Sequence, residues 1–390
     1  MTPPSLDIDT ILRDESTRIL VCCGSGGVGK TTTAAAMALR AAEMGRHVVV
    51  LTIDPARRLA QSMGLTELDN TPRPVPGVSG EGSLDAMMLD MKRTFDELVE
   101  AHSDPERARQ VLDNPFYQSL SSSFAGTQEY MAMEKLGQLR ARADEEGTWD
   151  LIIVDTPPSR SALDFLDAPN RLGSFLDGRF IKILSAPAKG AGRGIGKVFG
   201  AGFSIVFGSL NKVLGTQLLS DVSSFVQALD SIFGGFRKRA EATYALLQEP
   251  GTYFAVVAAP EADALREASY FVERLSEENM PLSGLLLNRV TIAPADSLSV
   301  AEATDAAARL DEQEIHPETA AVLAMHAETL RAEGRQRGLA EHFCESHPAV
   351  AVAVIPALAA DVHDLDGLRD IGALLADQPD HESFWDPATA

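Results

Sequence analysis

The chain has 390 residues, of which 34 are Lys or Arg and 56 are Asp or Glu, and its formal net charge is -22. Because sequence-independent binding to nucleic acid needs clustered positive charge, this balance argues against nucleic acid as a partner. Hydrophobic residues make up 45% of the chain, which is enough for a large core and argues against global disorder. Three cysteines are too few for a disulfide framework. The sequence also has no signal-peptide pattern and no run of about 18 apolar residues, so we expect a soluble, cytoplasmic protein.

The first predicted elements form a single βαβ unit. Residues 1–17 are expected to be a polar tail, and 18–23 (RILVCC) have the continuous apolar character of a strand buried on both faces. A glycine-rich turn at 24–29 leads into a predicted helix at 30–43, which is rich in helix formers. A second strand is predicted at 47–52 (HVVVLT). Two strands joined in this way are almost always parallel, with a right-handed crossover.

The later part of the chain continues the alternation of strands and helices. Together with the first two strands, five more predict a doubly wound, mostly parallel α/β sheet of about seven strands, which is the fold of P-loop NTPases. The segments 92–148 and 167–250 lack strand patterns, and we expect them to form an inserted helical subdomain. One main domain is therefore predicted over 18–375, followed by a tail at 376–390. The five further predicted strands are 84–91, 151–155, 253–259, 284–290 and 349–355.

Residues 24–31 read GSGGVGKT and match the phosphate-loop pattern G-x-x-x-x-G-K-[ST]. The match lies between a predicted buried strand and a predicted helix, which is the context that the motif requires. Glycines allow successive backbone N–H groups to point at phosphate oxygens, and the helix N-terminus adds partial positive charge. Lys30 is expected to hold the β- and γ-phosphates of ATP, and the Thr31 hydroxyl is expected to bind Mg²⁺.

Two aspartates follow neighbouring strands at the predicted carboxyl edge of the sheet. Asp155 ends the strand at 151–155, and Asp54 comes just after the strand at 47–52. Ligands of open α/β sheets bind at this edge. Two carboxylates there could hold Mg²⁺ through water and orient the attacking water. Aspartates also end strands simply as turn formers, and it is their position beside a phosphate loop that favours the catalytic interpretation.

Two blocks of sequence resemble the ArsA-type ATPases. They are GSGGVGKTTTAAAMALRAAEMGRHVVVLTIDPARRLAQSMG at 24–64 and LIIVDTPPSRSALDFL at 151–166. This family of P-loop proteins includes arsenical-pump ATPases and targeting factors for tail-anchored membrane proteins, and it is more loosely similar to MinD and ParA. The resemblance extends over about residues 18–375. It implies a Mg²⁺-dependent ATPase that acts as a nucleotide-driven switch and dimerises across its nucleotide face.

The resemblance also implies roles for individual residues. Asp54 would lie in the first switch and activate the attacking water, and 155–158 would form the second switch, which reports the γ-phosphate. Asn288 would contact adenine, with Pro356 beside it. The predicted catalytic residues are Asp54 and Lys30. The predicted ATP-binding residues are Gly26, Gly27, Val28, Gly29, Lys30, Thr31, Thr32, Asn288 and Pro356, and the predicted Mg²⁺ ligands are Thr31, Asp54 and Asp155.

One departure from the family lies in the phosphate loop. Where the family usually has a lysine that reaches the partner's phosphates across a dimer, this chain has Ser25. A cation supplied in trans can accelerate phosphoryl transfer by about 10³ to 10⁵. We therefore expect either slow hydrolysis or a cation from elsewhere, with Arg57, Arg58, Arg160 or a partner chain as sources. A homodimer, or a heterodimer with a related chain that keeps the lysine, is the expected assembly.

A second departure concerns metal-binding cysteines. Some relatives bind zinc or metalloid through spaced cysteines, whereas Cys22 and Cys23 lie in a predicted buried strand, where a thiol behaves as a small hydrophobe. His342, Cys344 and His347 are close in sequence, but this set lacks a fourth ligand for a soft metal. These patterns argue against arsenite transport.

The segment 178–220 has an unusual charge. It contains no Asp or Glu and six basic residues, together with apolar side chains at helical spacings. Met131 and Met133, next to Tyr130, add apolar residues in the other half of the predicted insert. These residues either form the core of the insert or bind an apolar protein client or an anionic membrane surface.

Three functions therefore remain open from the sequence. The protein is an ATP-gated carrier or sensor of an apolar client or partner, the energising ATPase subunit of an anion pump, or a MinD-like regulatory ATPase that cycles on membranes. A small-molecule kinase is less favoured, because no motif for an acceptor pocket is recognisable.

Overall fold

The structure is a computed structural model. It describes residues 2–53, 58–114, 117–118, 128–157, 238–294, 298–378 and 381–385. The chain divides into two compact units. The first comprises Met1–Leu89, Leu139–Leu163 and Leu246–Ala390, and the second comprises Asp90–Gln138 and Asp164–Ala245.

The first unit is built on one sheet. Its strands are β1 (Ile19–Gly24), β2 (His47–Thr52), β3 (Arg73–Pro74), β4 (Ser83–Met88), β5 (Leu151–Asp155), β6 (Thr252–Ala258), β7 (Leu282–Val290) and β8 (Val352–Pro356). They lie in the order β3-β4-β2-β5-β1-β6-β7-β8. All neighbours are parallel except β3 and β4. This topology confirms the predicted doubly wound α/β fold, and the additional strand is the two-residue edge strand β3.

Helices connect the parallel strands. They are α1 (Ile8–Arg13), α2 (Lys30–Glu43), α3 (Arg58–Ser62), α4 (Met91–His102), α5 (Pro105–Leu112), α6 (Gln128–Glu146), α7 (Ala262–Glu277), α8 (Val300–Glu312), α9 (Pro317–Ser346), α10 (Leu365–Asp377) and α11 (His381–Trp385). The described residues 238–248 are also helical. Strand β1 is buried along its whole length, as expected for a strand covered on both faces. Among the residues described, no helix combines the length and the apolar character needed to cross a bilayer.

The described residues of the second unit are largely helical. Tyr130, Met131 and Met133 are buried. Their burial favours a packing role, which is one of the two alternatives left open by the sequence. The basic segment 178–220 lies outside the described residues, so its role stays a prediction.

The N-terminal residues are not the tail that the sequence predicts for 1–17. Helix α1 begins after an Asp7 side-chain cap, and its Ile8 and Leu12 are fully buried in the main core. Just before it, the chain makes a parallel bridge to β8. The prediction of a tail is wrong because only a few apolar residues in a polar segment mark α1, and their burial depends on the sheet beneath them.

The predicted C-terminal tail at 376–390 is also wrong in its described part. Helix α10 continues to Asp377, and α11 follows at His381–Trp385. Phe384 and Trp385 are buried, with their rings 5.0 Å apart. Two adjacent aromatic side chains therefore anchor this segment to the first unit.

Candidate nucleotide site

The phosphate loop joins the end of β1 to the start of α2, as the sequence predicts. Gly27 and Gly29 have φ angles of 81° and 94°, in the left-handed region that glycine adopts without steric cost. Gly29 caps α2 without a side-chain hydrogen bond to the helix. The N-terminus of α2 therefore lies at the phosphate loop without a capping side chain from Gly29, and the helix dipole favours negative charge there.

Lys30 folds back over the loop that precedes it. Its Nζ donates a hydrogen bond of 2.7 Å to the carbonyl oxygen of Ser25, and the residue is only 5% exposed. The ammonium group is thus held next to the loop amides, where a phosphate would lie. Ser25 itself is buried and contributes no positive charge.

Asp155 is the centre of a hydrogen-bond cluster at the carboxyl edge of the sheet. The parallel register places it beside Thr52 on β2 and Cys22 on β1. Its Oδ2 accepts hydrogen bonds from the hydroxyl of Thr31 at 2.7 Å and from that of Thr52 at 2.8 Å. The structure therefore brings together the predicted Mg²⁺ ligands Thr31 and Asp155, and Thr52 is an additional member of the cluster.

The two predicted switches follow the neighbouring ends of β2 and β5. The backbone N–H of Ile53 donates to the carbonyl oxygen of Asp155 at 2.9 Å. Thr156 is tied to the carbonyl oxygen of Cys22 by its backbone N–H, at 3.2 Å, and by its hydroxyl, at 2.8 Å. Both segments thus start from positions fixed by hydrogen bonds to neighbouring strands.

Several predicted residues cannot be placed. Asp54, Arg57 and Arg160 lie outside the described residues, as does the side chain of Arg58. The roles of Asp54 in water activation and Mg²⁺ binding, and of the arginines as substitutes for the missing lysine, remain predictions.

A cavity of about 930 Å³ opens next to the phosphate loop in the first unit. It is within the size range of small-molecule and cofactor sites. The carboxyl ends of β7 and β8 also line the cavity, and they include the predicted adenine-contacting residues Asn288 and Pro356. Loop residues that line the cavity are Gly27, Gly29, Lys30, Thr31 and Thr32. Its position and size fit a nucleotide whose phosphates lie on the loop.

Asn288 and Arg289 contact the back of the phosphate loop. The Nδ2 of Asn288 donates to the carbonyl oxygen of Val28 at 2.8 Å, and Arg289 Nη1 donates to that of Gly27 at 3.0 Å. A Cβ atom on Gly29 would lie 2.3 Å from Asn288 Nδ2, so a larger residue there would displace this side chain and would also strain the backbone at a φ angle of 94°. The sequence pattern does not single out Arg289, because its position depends on an irregularity in the pairing of β7 with β8.

The three cysteines are buried. Burial raises the pKa of Cys22 well above its ordinary value, that of Cys23 to about 12 and that of Cys344 to about 11. These thiols are therefore protonated at neutral pH, whereas a metal ligand is a thiolate. His342 is two residues from Cys344 on α9 and is largely exposed, so the two side chains lie on opposite faces of the helix.

Comparisons with known proteins agree with this geometry. The model of the anion-transporting ATPase family (ArsA ATPase) matches residues 17–319. The chain belongs to this family. The match confirms the resemblance found in the sequence, and with it the P-loop fold and the assignment as an ATPase.

Individual relatives fall in the same group. ATPase GET3 of Malassezia globosa is 24% identical over 295 residues, covering 76% of this chain and 78% of that protein. ATPase GET3C of Arabidopsis thaliana is 26% identical over 277 residues, covering 68% of this chain and 65% of that protein. The arsenical pump-driving ATPase of Escherichia coli is 32% identical over 156 residues, covering 40% of this chain and 26% of that protein.

Proposed function

We propose that this ATPase binds Mg²⁺–ATP at the phosphate loop and works as a nucleotide-driven switch that carries or senses an apolar client or partner through its helical insert. The observation that supports the switch is the hydrogen-bond cluster at Asp155. One carboxylate contacts Thr31 at the end of the phosphate loop, and Asp155 ends β5 beside the end of β2, the two strands that lead into the predicted switches.

The residues at the loop suit a triphosphate. Backbone N–H groups of 26–32 would bind the phosphate oxygens, and Lys30 would hold the β- and γ-phosphates. The Thr31 hydroxyl and the Asp155 carboxylate offer the oxygen ligands that Mg²⁺ prefers, and they already lie 2.7 Å apart. When bound, Mg²⁺ would neutralise negative charge on the phosphates. Asp54 would orient the attacking water.

Nucleotide state would reach the rest of the chain through the strand ends. Displacement of the Thr31 hydroxyl from Asp155 would change the contacts of Asp155, whose carbonyl oxygen accepts from Ile53 and which Thr156 follows directly in the chain. Since these residues lead directly into 54–60 and 155–165, such a change would bias two arrangements of the switches. Asp155 would therefore connect nucleotide state to the insert.

The client or partner surface is proposed on the basic, apolar segment 178–220 and on the resemblance to targeting factors. Binding of a synthetic apolar helix of about 20 residues tests it, measured by fluorescence anisotropy with ATP and with ADP. We expect capture that differs between the nucleotides, and we expect a chain lacking 178–220 to lose capture while still binding ATP. Equal capture by the shortened chain would contradict the proposal.

The alternative of an energising subunit for an anion pump has one specific observation in its favour, which is the similarity to the arsenical pump-driving ATPase of Escherichia coli. Stimulation of ATP turnover by arsenite would support it. The buried and protonated Cys22, Cys23 and Cys344 offer no thiolate for such an ion.

A further inference from the structure

Arg289 occupies an irregular position in the sheet. The parallel pairing of β7 with β8 shifts register between Asn288 and Val290, so that Arg289 is an extra residue in β7. Its φ angle of 61° lies in the left-handed region, which is uncommon for a residue with a long side chain. Bulges of this kind re-aim a side chain and are frequent next to active sites. Here the re-aimed guanidinium reaches the phosphate loop.

The bulge holds two consecutive carbonyl groups of that loop. Arg289 Nη1 donates to the Gly27 carbonyl at 3.0 Å, and Asn288 Nδ2 donates to the Val28 carbonyl at 2.8 Å. The Arg289 backbone N–H donates to Asn288 Oδ1 at 3.0 Å. This third bond fixes which end of the amide is the acceptor, and it leaves Nδ2 to face the loop.

Holding these carbonyls also orients the amide groups that would bind phosphate. In a planar trans peptide the C=O and N–H bonds point in opposite directions. The Gly27 carbonyl points towards β7, so the N–H of Val28, in the same peptide group, points away from β7. The Val28 carbonyl orients the N–H of Gly29 in the same way. Glycine residues rotate easily about their backbone bonds, and the side chains of Asn288 and Arg289 therefore offset the flexibility of this glycine-rich loop.

The bulge is itself supported from α9. Gln336 accepts a hydrogen bond from the backbone N–H of Thr291 at 2.7 Å, and Glu333 accepts one from Ala293 at 3.0 Å. Glu333 is buried and paired with Arg337 at 3.1 Å. The segment that follows Arg289 is thus fixed to a long helix.

We propose that Asn288 and Arg289 are positioning residues that preset the phosphate loop to receive a nucleoside triphosphate. Arg289 also brings a positive charge to a loop that has Ser25 in place of a lysine. The inference rests on the proposed function, because it assumes that phosphates bind at the loop. It assigns to Asn288 a contact with the loop in addition to the contact with adenine implied by the resemblance.

Titration calorimetry with Mg²⁺–ATP tests Arg289 through three variants. Arg289→Met removes the donor and the charge, and its ATP affinity should fall about tenfold, with a matching rise in KM and a smaller change in kcat. Arg289→Lys keeps a charged donor and should recover most of the affinity. Arg289→Gly removes the side chain and also relieves the strain of the left-handed backbone. This variant should therefore bind ATP more weakly without a lower Tm. If Arg289 had only a structural role, its ATP affinity would not fall while Tm is kept.

Arg266 provides a matched control, because it is an exposed arginine of the first unit on α7 that pairs with Asp263 and does not line the cavity. Arg266→Met should bind ATP as the unchanged protein does. Wild-type affinity for ATP in both Arg289→Met and Arg289→Gly would overturn the role of Arg289. If Lys30→Ala also bound ATP normally, the proposed function would fail as well, whereas loss of binding in that variant alone confines the failure to this inference.

Inorganic tripolyphosphate separates the two contacts of Asn288. If Asn288 positions the loop, Asn288→Ala should bind Mg²⁺–tripolyphosphate several-fold more weakly than the unchanged protein, although this ligand has no adenine. A side chain that contacts adenine only would leave the affinity for tripolyphosphate unchanged, and that result would overturn the positioning role of Asn288.

Discussion

Asp155 illustrates how single side chains set the chemistry of the sheet edge. A fully buried carboxylate is tolerated where hydrogen bonds or a cation compensate for lost hydration. The hydroxyl groups of Thr31 and Thr52 both donate to its Oδ2. A carboxyl oxygen is therefore fixed beside the start of α2, where it could interact with a cation bound to phosphate.

We predict that Asp155→Asn lowers Mg²⁺-dependent ATP hydrolysis by about 100-fold, because the amide keeps the size of the side chain but removes the charge that places the ion. ATP affinity should change less than the rate. Steady-state hydrolysis measured over a range of Mg²⁺ concentrations checks this expectation.

Thr52→Val is the matched control, since it removes the other hydroxyl donor to Asp155 without removing a predicted Mg²⁺ ligand. Its rate should stay within about tenfold of the unchanged protein. Near-normal hydrolysis by Asp155→Asn would contradict the proposed place of the carboxylate in the site.

At the scale of elements, α1 is held to α2 by an ion pair. Asp9 accepts two hydrogen bonds from the Arg40 guanidinium, at 2.5 and 2.7 Å, and its side chain is 17% exposed. Bidentate arginine–carboxylate pairs of this kind are among the stronger polar contacts in proteins. The hydrogen bonds from Arg40 lower the pKa of Asp9 below its ordinary value of 3.8.

A lowered pKa in the folded state means that this carboxylate stabilises the fold above its unfolded pKa and loses that effect as pH falls through the folded value. We predict that Asp9→Asn lowers the free energy of unfolding by about 1–2 kcal/mol at pH 7. The difference from the unchanged protein should begin to shrink as pH falls below about 4. Urea unfolding at several pH values measures both.

Arg13 also contacts Asp9, at 3.1 Å, but its side chain is 65% exposed. Arg13→Met should therefore have little effect on stability, while Arg40→Met should resemble Asp9→Asn. Equal effects of the two arginine variants would show that burial does not decide the strength of these pairs.

The elements also show which features the sequence can predict. The phosphate loop, α2 and Asp155 were predictable because a local motif and a buried apolar run determine them. Helix α1 was not, since two buried side chains in a polar stretch give no clear period. The bulge at Arg289 depends on pairing with β8, about 60 residues away in the chain, which a local pattern does not contain.

For the whole molecule, the phosphate loop raises the question of a partner chain. The family's lysine is replaced by Ser25, and the chain is strongly acidic overall, with a net charge of -22. A cation from another chain is one source of the missing charge, and a homodimer or a heterodimer with a related ATPase remains our proposal for the assembly.

We predict that Ser25→Lys raises kcat by at least about tenfold if two copies meet at their nucleotide faces. A cation supplied in trans can accelerate phosphoryl transfer by about 10³ to 10⁵, so a tenfold gain is a modest expectation. The gain should depend on protein concentration, since it requires the dimer. Ser25→Ala adds no charge and is the control. An unchanged rate of Ser25→Lys at all concentrations would contradict pairing through these faces.

We propose that the amides of the phosphate loop, together with Lys30, bind the triphosphate of ATP. Titration calorimetry of the full chain with ATP in the presence of Mg²⁺ measures this binding, with Lys30→Ala measured in parallel. We expect saturable one-site binding by the unchanged protein and at least about a tenfold loss of affinity in the variant. No heat of binding in the unchanged protein, or equal affinity in Lys30→Ala, would contradict it.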